Sequence, residues 1–463
     1  MSTLTAGVFG QAPNTVAFKR TEAADAEHFA RLVDGRFVYD HQRRQWFEFA
    51  GHWKPDLTRR VVQEAIESMR RRQADALQIV NAEDRKKSLR WSLCGESEAR
   101  IRHMLDLASS HPHLAIEGTE WDQDAWALGA TNGKIDLRTA KLHPGQPDDR
   151  VTRVAAVPYD PEARCPRWER FILDICNEDT HLAAFLQQSI GYALTGVTTE
   201  QVFWILYGVG ANGKSTFLET ITRHVIPDHS WTMSFPVHTW SESLSEYQRA
   251  ELVGRRLVIA KESEQEKRLN TEFVKSLTGS DTINARHPYG RPFQFVPAAK
   301  FMLACNHQPI IRDDTHGMWR RVRLVPFTRT FAVDPDYGDA LAAEAGGILA
   351  WAVRVCLAWQ RGGLQPPAAV LQATKAYQRD SDTLARFIEA RCLVSSHVRV
   401  RAGELFSAYE RWCDAERVAD DRLSLRAFGE RMKSAYPPLP RQRHVTYLGI
   451  GLRAGEERVQ GLR

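Results

Sequence analysis

The sequence predicts an α/β protein whose central unit is a parallel β-sheet, preceded by a small α+β region and a helical bundle and followed by a winged-helix domain. Three largely apolar runs, at residues 202–207, 255–260 and 299–305, resemble parallel strands that are buried on both faces. A glycine-rich turn directly follows the first run, and apolar residues at three-and-four spacing lie on both sides of the central unit. Together these patterns indicate strands alternating with helices around one sheet.

The composition is that of an ordinary globular protein. The 463 residues are 43% hydrophobic and 26% charged, which suits two to four domains and excludes wholesale disorder. No run approaches the roughly 20 consecutive apolar residues that span a bilayer, and the first residues lack the order of a secretory signal. We therefore expect no membrane contact and a cytoplasmic location.

Cysteines and net charge exclude some functions and leave others open. The seven cysteines are scattered and never spaced as CxxC, which argues against a disulfide framework and against a zinc knuckle. A formal net charge of +5 is too small to demonstrate a nucleic-acid partner by itself. Positive charge is nevertheless concentrated after residue 422, near the C-terminus.

The N-terminal region, residues 1–160, is predicted to be a small α+β unit. Aromatic residues alternate with polar ones over residues 36–53, as in half-buried strands, and residues 57–89 show the spacing of exposed amphipathic helices. A turn followed by a strand is expected at residues 132–137, and a proline-punctuated linker at 159–166. The region shows no evident set of paired acids and histidine for polymerising nucleotides, so we expect no primase active site.

The rest of the chain divides into four further predicted domains. These are a helical, oligomerising bundle (161–200), the parallel-sheet core (201–335), a helical lid or linker (336–380) and a winged-helix-like domain (381–463). In the last domain, the pattern predicts three helices followed by a hairpin, with Leu425, Phe428 and Met432 as the buried face of the third helix. Such a domain binds DNA through a helix and a wing, and the candidate contacts are Arg426, Lys433, Arg441 and Arg443. A winged helix that serves only as a protein-binding module is the alternative.

The glycine-rich turn is the most informative motif. It matches GxxxxGK[ST] in its required context between a buried strand and a helix. In this pattern, backbone N–H groups surround phosphates, Lys214 bridges the outer phosphates and the Ser215 hydroxyl ligates Mg²⁺. The candidate nucleotide-binding residues are Gly208, Val209, Gly210, Ala211, Asn212, Gly213, Lys214, Ser215 and Thr216. A glycine-rich structural turn is the alternative interpretation.

The ends of the next two strands supply candidate catalytic side chains. Glu262 follows the second strand and is assigned to the metal, and either Glu262 or Glu264 polarises the attacking water. Two solvated glutamates are the alternative. Asn306 follows the third strand, where an uncharged amide can bond the γ-phosphate or the attacking water without adding negative charge.

An arginine pair precedes a fourth strand at residues 322–327. Arg320 or Arg321 is suited to reach the phosphates of a neighbouring subunit and to stabilise transition-state charge. Both could instead be ordinary salt-bridge partners of Asp313 and Asp314. If either arginine acts on a neighbour, the protein must form an oligomer.

In this order, the motifs GVGANGKST, LVIAKESE, LTGSDTINAR, FMLACNHQP and WRRVRLVPF resemble the superfamily 3 helicase core of the phage and plasmid primase-helicases, a group that includes the poxvirus primase-helicase. The resemblance covers most of residues 120–455 and implies an AAA+-like P-loop ATPase core. It implies Walker A at residues 208–215, Walker B at Glu262 with Glu264, sensor 1 at Asn306 and an arginine finger at Arg320 or Arg321. It also implies a hairpin that grips single-stranded DNA in a central channel, with candidate contacts Lys275, Arg286, His287, Tyr289 and Arg291. A plain surface hairpin is the alternative.

The resemblance therefore implies an ATP- and Mg²⁺-dependent DNA helicase of a phage, plasmid or integrated mobile element, in a bacterial or phage-infected cell. A hexameric ring and 3′ to 5′ movement are implied in the same way. Single-stranded and forked DNA are the expected substrates, and whether a separate primase is a partner stays open. In this chain Ser263 separates the two acids, whereas some members have adjacent acids, so the identity of the base stays open.

Three other functions remain as alternatives. The chain could be a DNA-stimulated NTPase that acts as an initiator or a defence factor without unwinding. It could be a DNA-binding module with a vestigial P-loop, although the intact Gly213, Lys214 and Ser215 argue against this. A small-molecule kinase would leave the hairpin and the basic C-terminus unexplained.

Overall fold

A computed structural model of the chain describes residues 18–233, 244–261, 269–279, 281–288, 290–311, 315–332, 334–416, 418, 422–439 and 444–453. Five of the candidate site residues, Glu262, Glu264, Tyr289, Arg441 and Arg443, lie outside this set. Within the described residues, no helix has both the length and the apolar character that crossing a bilayer requires.

The N-terminal region is an α+β unit, as the sequence predicts. Its elements are α1 (Glu22–Val33), β1 (Phe37–Asp40), β2 (Gln45–Phe49), β3 (Trp53–Pro55), α2 (Arg60–Leu77), α3 (Ala82–Gly95), α4 (Glu98–Ala108) and β4 (Ala115–Ile116). The strands form one sheet in the order β3-β2-β1-β4, in which only the β1–β4 pair is parallel. Phe29, Phe37 and Met69 are buried in one cluster, so the helices and the sheet share a core.

A three-stranded meander and two helices lead from this unit to the central sheet. They are β5 (Ala127–Ala130), β6 (Gly133–Asp136), β7 (Lys141–His143), α5 (Pro166–Ile175) and α6 (Thr180–Ala193). Helix α5 has Pro166 in its first turn, where a missing N–H costs nothing. The Asp179 side chain caps α6 by accepting a hydrogen bond from Leu182 N. The predicted helical pair is thus present.

The centre of the molecule is a five-stranded parallel sheet. Its strands are β8 (Phe203–Tyr207), β9 (Ser230–Met233), β10 (Leu257–Lys261), β13 (Lys300–Cys305) and β14 (Val322–Pro326), in the spatial order β14-β8-β13-β10-β9. Every neighbouring pair is parallel. Parallel strands of this kind need cover on both faces, which explains the continuous apolar runs in the sequence. The predicted α/β fold class with a parallel sheet is confirmed.

The elements between these strands are short. They are α7 (Lys214–Glu219), a π-helical turn (Thr220–Val225), α8 (Glu246–Ala250), α9 (Thr271–Thr278), the strands β11 (Ile283–Arg286) and β12 (Pro292–Phe295), and α10 (His316–Trp319). Strands β11 and β12 pair as an antiparallel hairpin outside the main sheet. The hairpin predicted between the acids and Asn306 is therefore present.

Alternate residues of strand β8 enter two separate cores. Trp204 and Leu206 belong to the larger core, together with residues of the meander, α5 and α6. Phe203 and Ile205 point to the opposite face and pack with Val274 and Leu277 of α9 in the second core. Because side chains of a strand alternate between faces, β8 is fixed on both sides. Its carboxyl end is consequently a rigid point in the structure.

The C-terminal part continues with α11 (Tyr337–Ala342), α12 (Ala345–Gly362), α13 (Ala368–Ser381), α14 (Thr383–Arg391), β15 (Cys392–Arg401), α15 (Ala402–Ala415), α16 (Leu425–Ala435) and β16 (Thr446–Leu452). Helix α12 approaches α6 so closely that a Cβ on Gly191 would lie 2.7 Å from Cys356 N. Gly191 therefore permits this helix crossing. Strands β15 and β16 pair antiparallel, and helices α15 and α16 lie between them in the chain.

The predicted order of three helices and a C-terminal hairpin is wrong in one respect. A long strand, β15, lies between the first two helices, and β16 pairs with it along most of its length. Before the expected hairpin, whose residues 440–443 lie outside the described set, a bridge between Pro438 and Tyr447 and a hydrogen bond from Leu439 N to Thr446 O join the chain to β16. Leu425, expected to be buried, is 62% exposed, whereas Phe428 and Met432 are buried as expected. Leu425 is the first residue of α16, so its side chain lies beyond the packed part of that helix.

Candidate nucleotide site

The glycine-rich turn lies at the carboxyl end of β8, between two neighbouring strands of the sheet. Its backbone enters the left-handed region at Gly210 (φ 109), Ala211 (φ 47) and Gly213 (φ 81). Helix α7 begins at Lys214, directly after the turn. Successive turns in this region direct backbone N–H groups to one side of a loop, as an anion site requires.

Gly208 is required by close packing at the start of this turn. A Cβ at this position would lie 2.3 Å from the Phe327 carbonyl oxygen and 2.2 Å from Nδ2 of Asn212. The Asn212 side chain is buried and donates to the same carbonyl at 3.4 Å. The segment after β14 therefore packs directly on the turn.

Lys214 is the buried cation of the site, with 5% of its surface exposed. Its Nζ donates to Gly208 O at 2.6 Å, to Asn212 Oδ1 at 2.9 Å and to Asn306 Oδ1 at 3.2 Å. All three acceptors are neutral, and burial lowers the pKa of the ammonium. A phosphate at this position would supply the negative charge that these described partners do not provide.

The rest of the turn is open to solvent. Val209 is 79% exposed, and Ala211 and Ser215 are also exposed, whereas Gly210, Gly213 and Thr216 are half-buried. The Ser215 hydroxyl, at the start of α7, is accessible to a metal ion that accompanies a bound nucleotide. These residues fit a nucleotide with Mg²⁺, since an exposed hydroxyl oxygen is a ligand that Mg²⁺ accepts.

Strands β13 and β10 end on the same side of the sheet as the glycine-rich turn, and Asn306 directly follows β13. Asn306 follows β13, whose last residue, Cys305, is level with Tyr207 of β8. Strand β10 lies next to β13 and ends at Lys261, which is paired with Ala304. It therefore ends on the same side of the sheet as β13. Glu262 and Glu264 come next in the sequence and lie outside the described residues.

Arg320 and Arg321 lie on the opposite side of the sheet from the turn, at the amino ends of the strands, where β14 begins. Arg321 O accepts from Phe203 N at the start of β8. The five residues of β8 lie between the amino end of the strand and the glycine-rich turn. At about 3.3 Å per residue, the distance between the two is roughly 15 Å. The exposed Arg320 donates to Gln201 Oε1 at 2.6 Å, and Arg321 donates to Thr278 Oγ1 at 3.1 Å. Asp313 and Asp314, the alternative partners, lie outside the described residues.

The candidate DNA contacts of the core fall on two elements. Lys275 lies on helix α9 and donates to Thr315 Oγ1, so its expected position in the hairpin is wrong. Arg286 ends β11 and donates to Gly290 O at 3.0 Å, and His287 stacks on Phe293 at 4.9 Å between ring centroids. Arg291 is exposed beside the tip of the hairpin.

The candidate DNA contacts of the C-terminal domain lie on α16. Arg426 and Lys433 are both exposed. The Arg426 guanidinium donates to Glu430 Oε1 at 2.9 Å on the same helix, which partly neutralises it. Lys433 lies near the end of the helix, seven residues further on.

Sequence reasoning missed the side chains that join the turn to its neighbours. Lys261, the last residue of β10, pairs with Glu219 of α7 and so connects the turn helix to the strand that precedes the acids. Arg329 lies beyond β14 and donates to Asp174 Oδ1 at 3.0 Å, while Phe331 N donates to Ala211 O at 2.7 Å. The approach of the 327–331 segment depends on sheet order, which no local pattern in the sequence encodes.

Parts of this chain are similar to known families and to viral proteins. Residues 26–177 match a family described as D5 N terminal like, and residues 206–321 match a family of unknown function (DUF5906). The chain is 27% identical over 293 residues to "Putative helicase L207/L206" of Acanthamoeba polyphaga mimivirus. It is 23% identical over 350 residues to "Putative primase C962R" of African swine fever virus. The chain is related to the D5-like primase-helicases.

The similarity to the D5-like relatives covers much of this chain and less of theirs. The mimivirus match covers 58% of this chain and 30% of the relative, and the African swine fever virus match covers 68% and 35%. "Putative helicase 022R" of Frog virus 3 is 26% identical over 66% of this chain and 32% of its own length. The chain thus spans about a third of the length of these D5-like relatives.

A solved structure shares the fold. The apo structure of the NrS-1 C terminal region is 9% identical, with a TM-score of 0.50, and the match covers 94% of this chain and 100% of that one. The likeness extends from the N-terminal region through the parallel sheet to the C-terminal elements.

Proposed function

We propose that this chain is an ATP-dependent DNA helicase that works as a hexameric ring in the replication of a phage, a plasmid or an integrated mobile element. The observation that carries the proposal is the buried Lys214 ammonium, which meets only neutral oxygens among its described partners, next to an accessible glycine-rich turn. A buried cation without a counter-charge is costly, and a phosphate would remove that cost. The helicase and primase names of the relatives support the same conclusion.

The proposed nucleotide is ATP with Mg²⁺. Backbone N–H groups of residues 208–213 would surround the phosphates, Lys214 would neutralise the outer ones, and Ser215 and Glu262 would hold the metal. Mg²⁺ supplies Lewis-acid stabilisation of the charge that builds up on the phosphates. Asn306, already bonded to Lys214, would orient the γ-phosphate or the attacking water. Glu262 or Glu264 would act as the base.

Hydrolysis is proposed to need two subunits of an AAA+-like ring. Arg320 and Arg321 lie at the sheet edge opposite their own glycine-rich turn, so neither guanidinium can reach the phosphates bound there. A neighbouring subunit can present this edge to the turn of the next one, and a ring repeats that contact. One of the two arginines then stabilises the transition-state charge in trans.

DNA would be held by the hairpin and by the C-terminal domain. Arg286, His287, Tyr289 and Arg291 belong to the hairpin segment that would line the channel, and Lys275 lies on the preceding helix. The order α14-β15-α15-α16-β16 supports a winged-helix arrangement, with α16 as the helix that presents Arg426 and Lys433 to DNA. The further candidate contacts Arg441 and Arg443 precede β16 in the sequence. A separate primase is a proposed partner.

Unwinding of a forked DNA tests the proposal. Wild-type protein with ATP and Mg²⁺ is expected to separate a labelled fork with a free 3′ tail, and to leave it intact with a non-hydrolysable ATP analogue. Lys214→Ala should abolish both hydrolysis and unwinding, while Lys375→Ala, which changes an exposed lysine on α13, should abolish neither. DNA-stimulated hydrolysis without strand separation would instead support the initiator or defence-factor function.

A further inference from the structure

A groove separates the N-terminal sheet from the β11–β12 hairpin. It consists of two adjoining cavities of ≈ 570 Å³ and ≈ 620 Å³, which share Gln42 and Thr119 in their walls. One wall is formed by the turn between β1 and β2, and the other by the hairpin from Gly290 onward. The two walls nearly touch, because a Cβ on Gly290 would lie 3.6 Å from Gln42 O.

The wall from the N-terminal unit is held rigidly. Asp40 is fully buried and accepts hydrogen bonds from Arg43 N at 2.8 Å, Arg43 Nη1 at 2.6 Å and Trp121 Nε1 at 2.8 Å. Arg43 Nη1 also donates to Gly118 O at 3.2 Å. The turn is thus tied to the loop after β4, and its next residue, Arg44, adopts a left-handed conformation with φ 54. A preorganised turn presents the Arg44 side chain at little cost in entropy.

Positive charge faces the groove from both walls. The first cavity is lined by the exposed Arg44 from one side and the exposed Arg291 from the other, with Glu117 as its acidic residue. The second cavity is lined by Arg43, Arg153 and Arg256, with Asp122 as its acidic residue.

The inner arginines keep much of their positive charge. Arg256 donates to the carbonyls of Asp124, Ala125 and Ala127, and Arg153 donates to those of Asp228 and Val253. Backbone carbonyls orient a guanidinium without neutralising it. Burial lowers the pKa of Arg153 and of Arg256 to about 10 in each case, so both stay protonated at neutral pH.

Aromatic rings accompany these charges. Tyr39 lines the first cavity and packs edge-on against His41 at 4.9 Å, and Phe293 lines the second. His287, stacked on Phe293, has a buried Nε2 without a hydrogen-bond partner among the described residues. A groove that combines arginines with aromatic rings suits a ligand that has both anionic groups and flat apolar faces.

We propose that this groove binds one strand of a nucleic acid, with Arg44 and Arg291 on its phosphates from opposite walls and Tyr39 and Phe293 against its bases. The inference rests on the proposed function and extends it, because the N-terminal unit then clamps the strand against the hairpin. The phosphodiesters and bases of a single strand match the arginines and the aromatic rings that line the groove.

Replacement of one arginine inside the groove and of a matched arginine outside it tests whether the groove binds the strand. Arg44→Gln removes a proposed phosphate contact, and Arg59→Gln is its control, because Arg59 is also exposed, lies in the same unit and has φ 59, but lines neither cavity. Binding of a fluorescent oligothymidylate to the full chain is followed by anisotropy at several salt concentrations. Arg44→Gln should weaken binding severalfold and reduce the slope of log K against log salt by about 0.7, as one lost contact predicts for a single strand. Arg59→Gln should change neither quantity.

Photocrosslinking gives a second measurement on the unmodified chain. An oligonucleotide that carries 5-iodouracil should crosslink, on irradiation, to peptides that contain Tyr39 or Phe293, and peptide mapping identifies them. Equal binding by the Arg44→Gln and Arg59→Gln proteins, with crosslinks only to peptides outside the groove, would overturn the inference. If Arg291→Gln still weakened binding, the strand would follow the hairpin alone and the proposed function would stand. Failure of the wild-type protein to bind single strands at all would contradict the proposed function as well.

Discussion

Two lysines are buried at opposite ends of the strands of the parallel sheet, and one of the two, Lys214, belongs to an accessible site. Lys214, at the carboxyl edge, is 5% exposed, and Lys300, at the start of β13, is 2% exposed. Both ammonium groups donate to neutral oxygens. Lys300 Nζ donates to the Ala298 carbonyl oxygen at 3.0 Å and lies 4.8 Å from the centroid of the Tyr192 ring. Burial lowers the pKa of both lysines. Burial and charge alone therefore do not identify a functional lysine.

The surroundings distinguish the two. Lys214 adjoins a turn that contains the exposed Val209 and Ser215, so an anion can approach it from solvent. Lys300 donates to Thr195 O and lies between α6 and the sheet, in the interior. We interpret Lys214 as a ligand-binding residue and Lys300 as a structural one.

Replacement of the two lysines by methionine should separate their roles. Lys214→Met should abolish measurable ATP hydrolysis, because the outer phosphates lose their buried cation. Lys300→Met should leave hydrolysis per folded molecule at the wild-type level. Steady-state hydrolysis and nucleotide titration on both proteins check this. Comparable losses of hydrolysis in both would remove the distinction.

Loss of the arginine finger should affect turnover and spare nucleotide binding. Arg320→Ala and Arg321→Ala are made separately, and the variant that removes the finger should hydrolyse ATP about 1,000-fold more slowly with an unchanged Kd for ATP. Arg321 also bonds Thr278, so thermal unfolding of both variants serves as the control for folding. Full turnover in both variants would show that this edge of the sheet takes no part in catalysis.

Asn306 should contribute less than the charged groups. Asn306→Ala removes an oriented amide and should slow hydrolysis about 100-fold, with nucleotide affinity little changed. Asn306→Asp places a negative charge beside the triphosphate and should weaken binding as well. Separate measurement of Kd and kcat distinguishes the two effects. Wild-type kcat in Asn306→Ala would assign its contact with Lys214 to structure alone.

The stability of the protein should depend on pH through Lys300. Burial, with Arg256 nearby, lowers the pKa of Lys300 far below its ordinary value, so the unfolded chain binds a proton more tightly than the folded one. The free energy of unfolding should therefore rise as the pH approaches about 10.4, by at most about 1.4 kcal/mol per pH unit from this group. Lys300→Met should lack this rise. Urea unfolding of both proteins at about pH 7 and about pH 9.5 measures it, and parallel pH dependences would contradict it.

Local patterns in the sequence predict the glycine-rich turn and four of the five core strands, but not β9 (Ser230–Met233). The continuous apolar residues of β8 and the motif after them identify strand, turn and helix, because each pattern lies within a short stretch of chain. The β11–β12 hairpin is predicted only through resemblance to known helicases. The predicted position of Lys275 is wrong because its segment forms helix α9, which buries the neighbouring Val274 and Leu277.

Long-range pairing is what the sequence does not reveal. Strand β15 was missed because its residues Cys392–Arg401 alternate weakly and pair only with β16, some fifty residues later. The contacts of Phe327 and Phe331 with the glycine-rich turn depend on β14 lying next to β8. Order in a parallel sheet is set by crossover connections between distant segments, and no short pattern records it.

In the proposed ring, the carboxyl ends of the strands in one subunit and the amino ends in the next form a single catalytic site. Mixing Lys214→Ala protein with Arg320→Ala/Arg321→Ala protein tests it directly, because some interfaces then contain an intact turn opposite intact arginines. We predict that the mixture hydrolyses ATP at a rate well above either protein alone. A mixture that forms mixed rings and still shows no recovered hydrolysis would contradict the claim.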